Sequence, residues 1–198
     1  MKKRTAFIGA ILSLIPLGQP LIIKTGVVLS TTGFLLSFPE KVYAGDNSFY
    51  FNSAFKKGNK GDYYGAISDY TKAIEIKPNY KNAYHNRGVA KENLKDYEGA
   101  LKDYEKVTTI DSNHYLSWSG VGNMKSELGD YYAAISALNK AIKLNPSDPD
   151  FYTNRGIAKR KIGDDKGGCD DYKMAISLGD KETEKWFKTE GAAWCRDM

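Results

Sequence analysis

Two cysteines, two histidines and a few adjacent acidic pairs are the side chains through which this chain could do covalent, metal or proton-transfer chemistry. Their spacing argues against each. Cys169 and Cys195 both lie in the last quarter, whereas His85 and His114 sit far upstream, so no general base is at hand to activate a thiol. Two histidines and two separated cysteines are too few for a zinc site. Asp164-Asp165 and Asp170-Asp171 are neighbours on helical stretches, where successive side chains point apart, so they make poor acid/base dyads. No Gly-Lys-Ser/Thr phosphate loop, no Gly-x-Gly-x-x-Gly after a strand and no Gly-x-Ser-x-Gly elbow occurs. The sequence makes no positive case for an enzyme and calls for no cofactor and no metal.

The elements that carry these residues follow a strict period. Gly61-Asp62-Tyr63-Tyr64-Gly65-Ala66 returns 34 residues later as Lys95-Asp96-Tyr97-Glu98-Gly99-Ala100. It returns again as Gly129–Ala134 and, more weakly, as Gly163–Gly168. A fixed period of this length means stacked supersecondary units. Each unit reads as two amphipathic helices. Asp62, Asp96, Asp130 and Asp164 stand where a second helix should begin and can accept from its free N–H groups. Gly61, Gly129 and Gly163 precede them and suit a left-handed residue closing the first helix. Pro78 and Pro146 stop the second helix in the first and third units, and Ser112 and Asp180 do so less forcefully in the others. One unit cannot bury its apolar face alone, so neighbours must stack.

On these residues the chain resembles the tetratricopeptide repeat family. Leading aromatics stand at Tyr50, Tyr84, Trp118 and Tyr152, and small residues follow at Ala54, Gly88, Gly122 and Gly156. The tight-contact position of the second helix holds Ala66, Ala100, Ala134 and Gly168, followed by Tyr70, Tyr104, Leu138 and Tyr172. The resemblance implies an all-α fold: a right-handed α-solenoid of four tandem helix-turn-helix repeats (47–80, 81–114, 115–148 and 149–182) with a C-terminal capping helix over 183–198. Trp186, Phe187 and Trp194 would pack the cap onto the last repeat. Tyr84–Gly88, Tyr152–Gly156 and Ile142–Pro146 make the likeness closest to small tetratricopeptide proteins common in photosynthetic bacteria.

Residues 1–44 differ in composition. Met1-Lys2-Lys3-Arg4 is basic, Ala6–Ile23 and Gly26–Phe38 are apolar, and Val42-Tyr43-Ala44 fits a signal-peptidase site before Gly45. The first reading is an export signal cleaved after Ala44. Two rivals stay open: a retained membrane anchor with exported repeats, or a membrane hairpin that returns the repeats to the cytoplasm. The runs of 18 and 13 residues fall short of the about 20 a spanning helix needs, and Lys24 interrupts them. The chain carries +5; the leader's five basic residues against Glu40 account for +4, leaving 24 basic against 23 acidic residues. A nucleic-acid partner needs a basic folded face, so this class is set aside. In an oxidising compartment the even cysteine count favours a Cys169–Cys195 disulfide, which would tie the cap to the last repeat. In the cytoplasm the same two would be free thiols.

The resemblance also implies a site. In the family the first helices line a concave groove that grips a peptide or partner protein. By position these residues are Phe51, Asn52 and Phe55; His85, Asn86, Val89 and Glu92; Leu116, Ser119, Asn123 and Ser126; and Thr153, Asn154, Ile157, Arg160 and Lys161. Asn52, Asn86 and Asn154 recur at one offset, with Gly120 in the third place, and such amides can both donate to and accept from an extended backbone. Phe51 and Phe55 make one end apolar; Arg160 and Lys161 make the other basic, which suits a peptide with an apolar segment and an acidic end. Phe51 and Phe55 stand where chaperone-binding members carry the Lys and Asn of a carboxylate clamp, which argues against that ligand. The function expected is a non-enzymatic interaction scaffold for a membrane or envelope complex, exported or membrane-anchored. A self-associating structural protein is the runner-up, with an enzyme or small-ligand sensor behind it. No feature of the sequence sets the oligomeric state. Export predicts Gly45 as the native N-terminus and no free thiol; Edman sequencing and thiol titration that returned Met1 and two thiols would place the repeats in the cytoplasm.

Overall fold

The computed structural model describes residues 27–29, 35–37, 46–189 and 192–196. The chain divides into two units, Met1–Ala44 and Gly45–Met198. In the first, β1 (Val27–Leu29) pairs antiparallel with β2 (Leu35–Ser37), with Val28 opposite Leu36. The rest of the leader and the junction after Ala44 lie outside the described residues. No helix among those described is long and apolar enough to cross a membrane.

The second unit is helical throughout its described length. First helices α1 (Asn47–Asn59), α3 (Lys81–Asn93), α5 (Tyr115–Glu127) and α7 (Pro149–Lys161) alternate with second helices. These are α2 (Tyr63–Ile76), α4 (Tyr97–Ile110), α6 (Tyr131–Leu144) and α8 (Asp165–Ser177). Each helix packs on the next in sequence, which is the nesting of an α-solenoid. Two short helices close the stack, α9 (Lys181–Phe187) and α10 (Ala193–Arg196), where one capping helix was expected. Trp186 stands 34 residues beyond Tyr152, in the leading-aromatic place, so α9 is the start of a fifth first helix. It lays Trp186 against Tyr172, ring centroids 5.0 Å apart.

Local chemistry sets the boundaries. Asp62, Asp96 and Asp164 accept from the backbone N–H of Gly65, Gly99 and Gly167 at 2.9, 3.0 and 2.9 Å. Asp130 meets Ala133 at 3.2 Å, the one cap whose N–H belongs to a residue with a Cβ. A Cβ at the three glycines would meet the cap carboxylate itself, which is why the other caps sit closer. Gly61, Gly129 and Gly163 turn out of the first helices at φ 80, 84 and 83°, and Lys95 does so at φ 60° without a glycine's freedom.

The core is a row of small-against-large contacts between the two helices of each repeat. A Cβ on Gly88 would lie 2.9 Å from the Tyr104 ring, on Gly122 2.6 Å from Leu138, and on Gly156 3.0 Å from Tyr172. Ala54 fills the same place against Tyr70 in the first repeat. Charged residues tie the helices together beside this row. Asp103 receives Arg87 through two nitrogens and Lys91 at 2.8 Å; Asp171 receives Arg155 and Lys159 in the same way. Arg87 reaches on to Thr71 of the preceding repeat, and Arg155 to Asn139. Repeat one keeps Asp69 with Lys57 and Ser53. Repeat three holds buried Val121 and Ala137 in these positions, an apolar substitute that avoids the desolvation of a buried ion pair. The Cys169 and Cys195 sulfurs are bonded, with Cα atoms 5.4 Å apart, joining α8 to α10. Closing a loop of this length contributes about 2–4 kcal/mol.

Gly88→Ala should lower stability by about 1–3 kcal/mol, because the rigid Tyr104 ring cannot yield. Gly58→Ala, whose Cβ would meet only Ala66 at 3.8 Å, should raise it by about 0.5–1 kcal/mol through helix propensity. Urea unfolding followed by circular dichroism reads both.

Candidate functional site

The inner face follows from which helices approach each other. Close contacts join α1 to α3 and α5 to α7, and among the described residues no comparable contact joins successive second helices. The stack is therefore tighter on the first-helix side, and that side is concave. Three pockets lie along it. One is lined by Phe55, Tyr63, Tyr70, Asn86, Val89 and Asn93 and encloses about 220 Å³. The next shares Asn93 and is lined by Glu92, Lys95, Tyr97, Asn123, Glu127, Asn154 and Ile157, enclosing about 370 Å³. The third shares Ile157 and adds Thr153, Arg160, Tyr172, Glu182 and Trp186, enclosing about 350 Å³. Shared walls make them one trough.

A single register position runs along its floor. Phe55, Val89, Asn123 and Ile157 stand 34 residues apart, and the three apolar members are 51, 39 and 42% exposed. Exposed apolar side chains aligned on a concave face are what an interaction surface presents. Asn123 breaks the row, and its Oδ1 is buried without a hydrogen-bond partner.

The structure brings Phe55, Asn86, Val89, Asn123, Thr153, Asn154, Ile157 and Arg160 to the trough. Glu92 and Ser126 join them, and six other expected residues lie elsewhere, Leu116 and Ser119 among them, which line none of the three pockets. Phe51 packs inward, 5.6 Å from the Tyr70 ring and 5.1 Å from Tyr80, because the first repeat needs a large side chain to fill its junction with the second. Asn52 and Lys161 are exposed but line none of the three pockets. His85 is enclosed at the junction of repeats two and three. Its Nδ1 lies 2.9 Å from Ser117 Oγ, and its ring lies 5.5 Å from Tyr104 and 5.1 Å from His114.

The asparagine ladder is uneven for a stated reason. Asn86 lies beside Tyr70 of the preceding repeat in the first pocket. For Asn154 the corresponding residue of the preceding repeat is Leu138, which offers no hydroxyl. Gly120 replaces asparagine because a Cβ there would lie 2.7 Å from the Tyr104 ring. The apolar-to-basic gradient also gives way. Arg160 stacks on Trp194 at 4.3 Å and lies 3.8 Å from Asp165, so its charge serves the cap. Thr153 donates to Asp180 at 2.9 Å. Glu127 and Asn93 escaped the sequence reading, although they share one register position at the C-terminal end of the first helices.

Among the described residues no group of three or more His, Cys, Asp or Glu side chains is placed to share a metal ion. Stacked helical pairs, an inner trough and a sealed last repeat define a helical-repeat interaction protein. A TPR repeat model matches residues 59–95 and 122–163, and a tetratricopeptide repeat model matches residues 82–114. Two crystal structures of MamA are each 26% identical to the chain. One covers 67% of this chain and 72% of its own at a TM-score of 0.64; the other covers 64% and 74% at 0.62. MamA from Desulfovibrio magneticus RS-1 is 20% identical, covers 73% and 78%, and shares the fold at a TM-score of 0.65. No curated protein sequence matches the chain. The chain belongs to the tetratricopeptide repeat family, and its class is that of a protein-interaction scaffold.

Burial disfavours the charged form of His85 and, with the neighbouring His114, pushes its pKa down to about 4; burial and Lys81 also lower His114, against the pull of Asp111. In the unfolded chain a histidine binds its proton near pH 6.5. Between pH 6.5 and about 4 the unfolded state therefore holds more protons, and stability falls as pH falls. The loss attributable to His85 is on the order of 3 kcal/mol. Urea midpoints measured from pH 7 to pH 4.5 should decline, and should decline less steeply in His85→Gln.

Proposed function

We propose that the repeats hold an extended segment of a partner polypeptide along the trough, as a non-enzymatic scaffold in the assembly or stability of a membrane or envelope complex. One observation carries this reading: Phe55, Val89 and Ile157 are exposed, apolar and in register on the concave side, where three pockets abut. An extended backbone laid across them would meet Asn86 and Asn154, amides able to donate and accept. The disulfide supports an oxidising compartment, in keeping with residues 1–44 acting as an export signal or tether. The likeness to MamA supports an interaction role. Open end-to-end stacking is the weaker reading, because α9 lays Trp186 over the last repeat.

Site-specific photocrosslinking tests the reading in cells. A benzophenone amino acid in place of Val89 or Ile157 should capture protein. The same probe in place of Tyr64 or Tyr132, which are 77 and 73% exposed on second helices, should not. Crosslinks confined to the second-helix positions, or none at all, would remove the trough from consideration.

A further inference from the structure

Resting on the groove reading, we propose that the middle pocket receives a basic side chain of the bound peptide, arginine in preference to lysine. Apolar residues on either side of it would seat at Phe55–Val89 and at Ile157–Trp186. The pocket's chemistry selects a donor. Glu92 and Glu127 both line it, against one ammonium, Lys95. Glu92 accepts from the Tyr104 hydroxyl at 2.7 Å, and Glu127 lies beside Tyr97. The Tyr104 hydroxyl is a neutral donor, so the carboxylates keep lone pairs and negative charge to offer.

A second observation, independent of charge, points the same way. Asn123 lines the same pocket, and its Oδ1 is the buried side-chain acceptor without a donor among the described residues. Buried acceptors left unmet are uncommon and unfavourable. Its register mates, Phe55, Val89 and Ile157, are all apolar, so packing alone would favour an apolar residue here. A polar side chain at this one place suits a ligand that brings N–H groups, toward which the Asn123 side chain must turn, because its Oδ1 has no open surface in the unliganded trough. Asn93 Nδ2 is engaged by Val89 O at 2.8 Å, which leaves its amide oxygen as a further acceptor. Arginine presents five N–H donors in a planar fork and can meet several acceptors at once, whereas a lysine ammonium presents three on a point charge. The neighbouring pockets are richer in apolar and aromatic side chains, Phe55, Tyr63, Tyr70 and Val89 on one side and Ile157, Tyr172 and Trp186 on the other. The pattern read by the trough is therefore apolar, basic, apolar, in place of the apolar-to-acidic segment the sequence suggests.

The test uses the full-length chain and a displayed library of random twelve-residue peptides. Enriched peptides are synthesised with a fluorescent label and titrated by anisotropy. They should share an arginine or lysine flanked on both sides by apolar residues. Changing that residue to glutamine should weaken binding about ten-fold. The double variant Glu92→Gln/Glu127→Gln should weaken the parent peptide about ten-fold and leave the glutamine peptide unchanged, which measures their coupling. Glutamine at position 92 still accepts from Tyr104, and an unaltered melting curve checks that the fold is kept. Peptides that lose binding in Val89→Asp/Ile157→Asp, yet carry no basic residue or show no coupling to Glu92 and Glu127, would overturn the basic-pocket proposal and leave the groove standing. No enrichment, or binding indifferent to Val89→Asp/Ile157→Asp, would overturn the groove reading and this proposal with it.

Discussion

The close approach of two helices inside each repeat is the contact on which the stack depends. A ring or branched side chain from the second helix, Tyr70, Tyr104, Leu138 or Tyr172, lies directly on a residue of the first that has little or no side chain. Tyr104 shows how far the consequence reaches. It is fully buried, touches both Gly88 and Gly120, lies beside His85 and donates to Glu92. One ring thereby sets the spacing of repeats two and three, excludes asparagine from position 120 and holds a carboxylate at the edge of the trough. Dense packing makes such a contact intolerant of an added methyl group.

Buried charge does a different job. Asp103 and Asp171 each gather an arginine and a lysine from the first helix of their own repeat, and the arginine continues to the repeat before. These contacts fix direction and register, which apolar contacts fix less sharply. Repeat three dispenses with them through Val121 and Ala137 and remains in the stack. The ion locks are therefore not what makes the helices associate. They leave the trough alone, because none of the residues they join lines its pockets.

The trough itself shows where a repeat is allowed to vary. Phe55, Val89 and Ile157 keep the row apolar, while Asn123, with Glu92 and Glu127 nearby, makes its middle polar and acidic. Variation at core positions is compensated locally, as when Leu138 replaces a tyrosine. Variation at 123 is not: the amide oxygen is left without a donor. That contrast is what separates a residue kept for packing from one kept for contact.

The 34-residue period, the capping aspartates and the small-large alternation are local in sequence, and each acts within one or two turns of helix. For that reason the helical pairs and their order could be read directly from the chain. The first-helix face came from the family resemblance, and register along a helix carries it from repeat to repeat. Which members of that face point outward could not be read from the chain. Phe51 and Phe55 are one helical turn apart, yet one fills the junction with Tyr70 and Tyr80 and the other stands exposed. Arg160 lies at a groove position and is taken by Trp194, thirty-four residues away. Glu92 and Glu127 line one pocket only because α4 stacks repeat two against α5 of repeat three. Periodicity specifies the helices because their hydrogen bonds are short-range; the occupants of the trough are decided by long-range packing, which assigns each side chain to a neighbour that the linear sequence does not reveal.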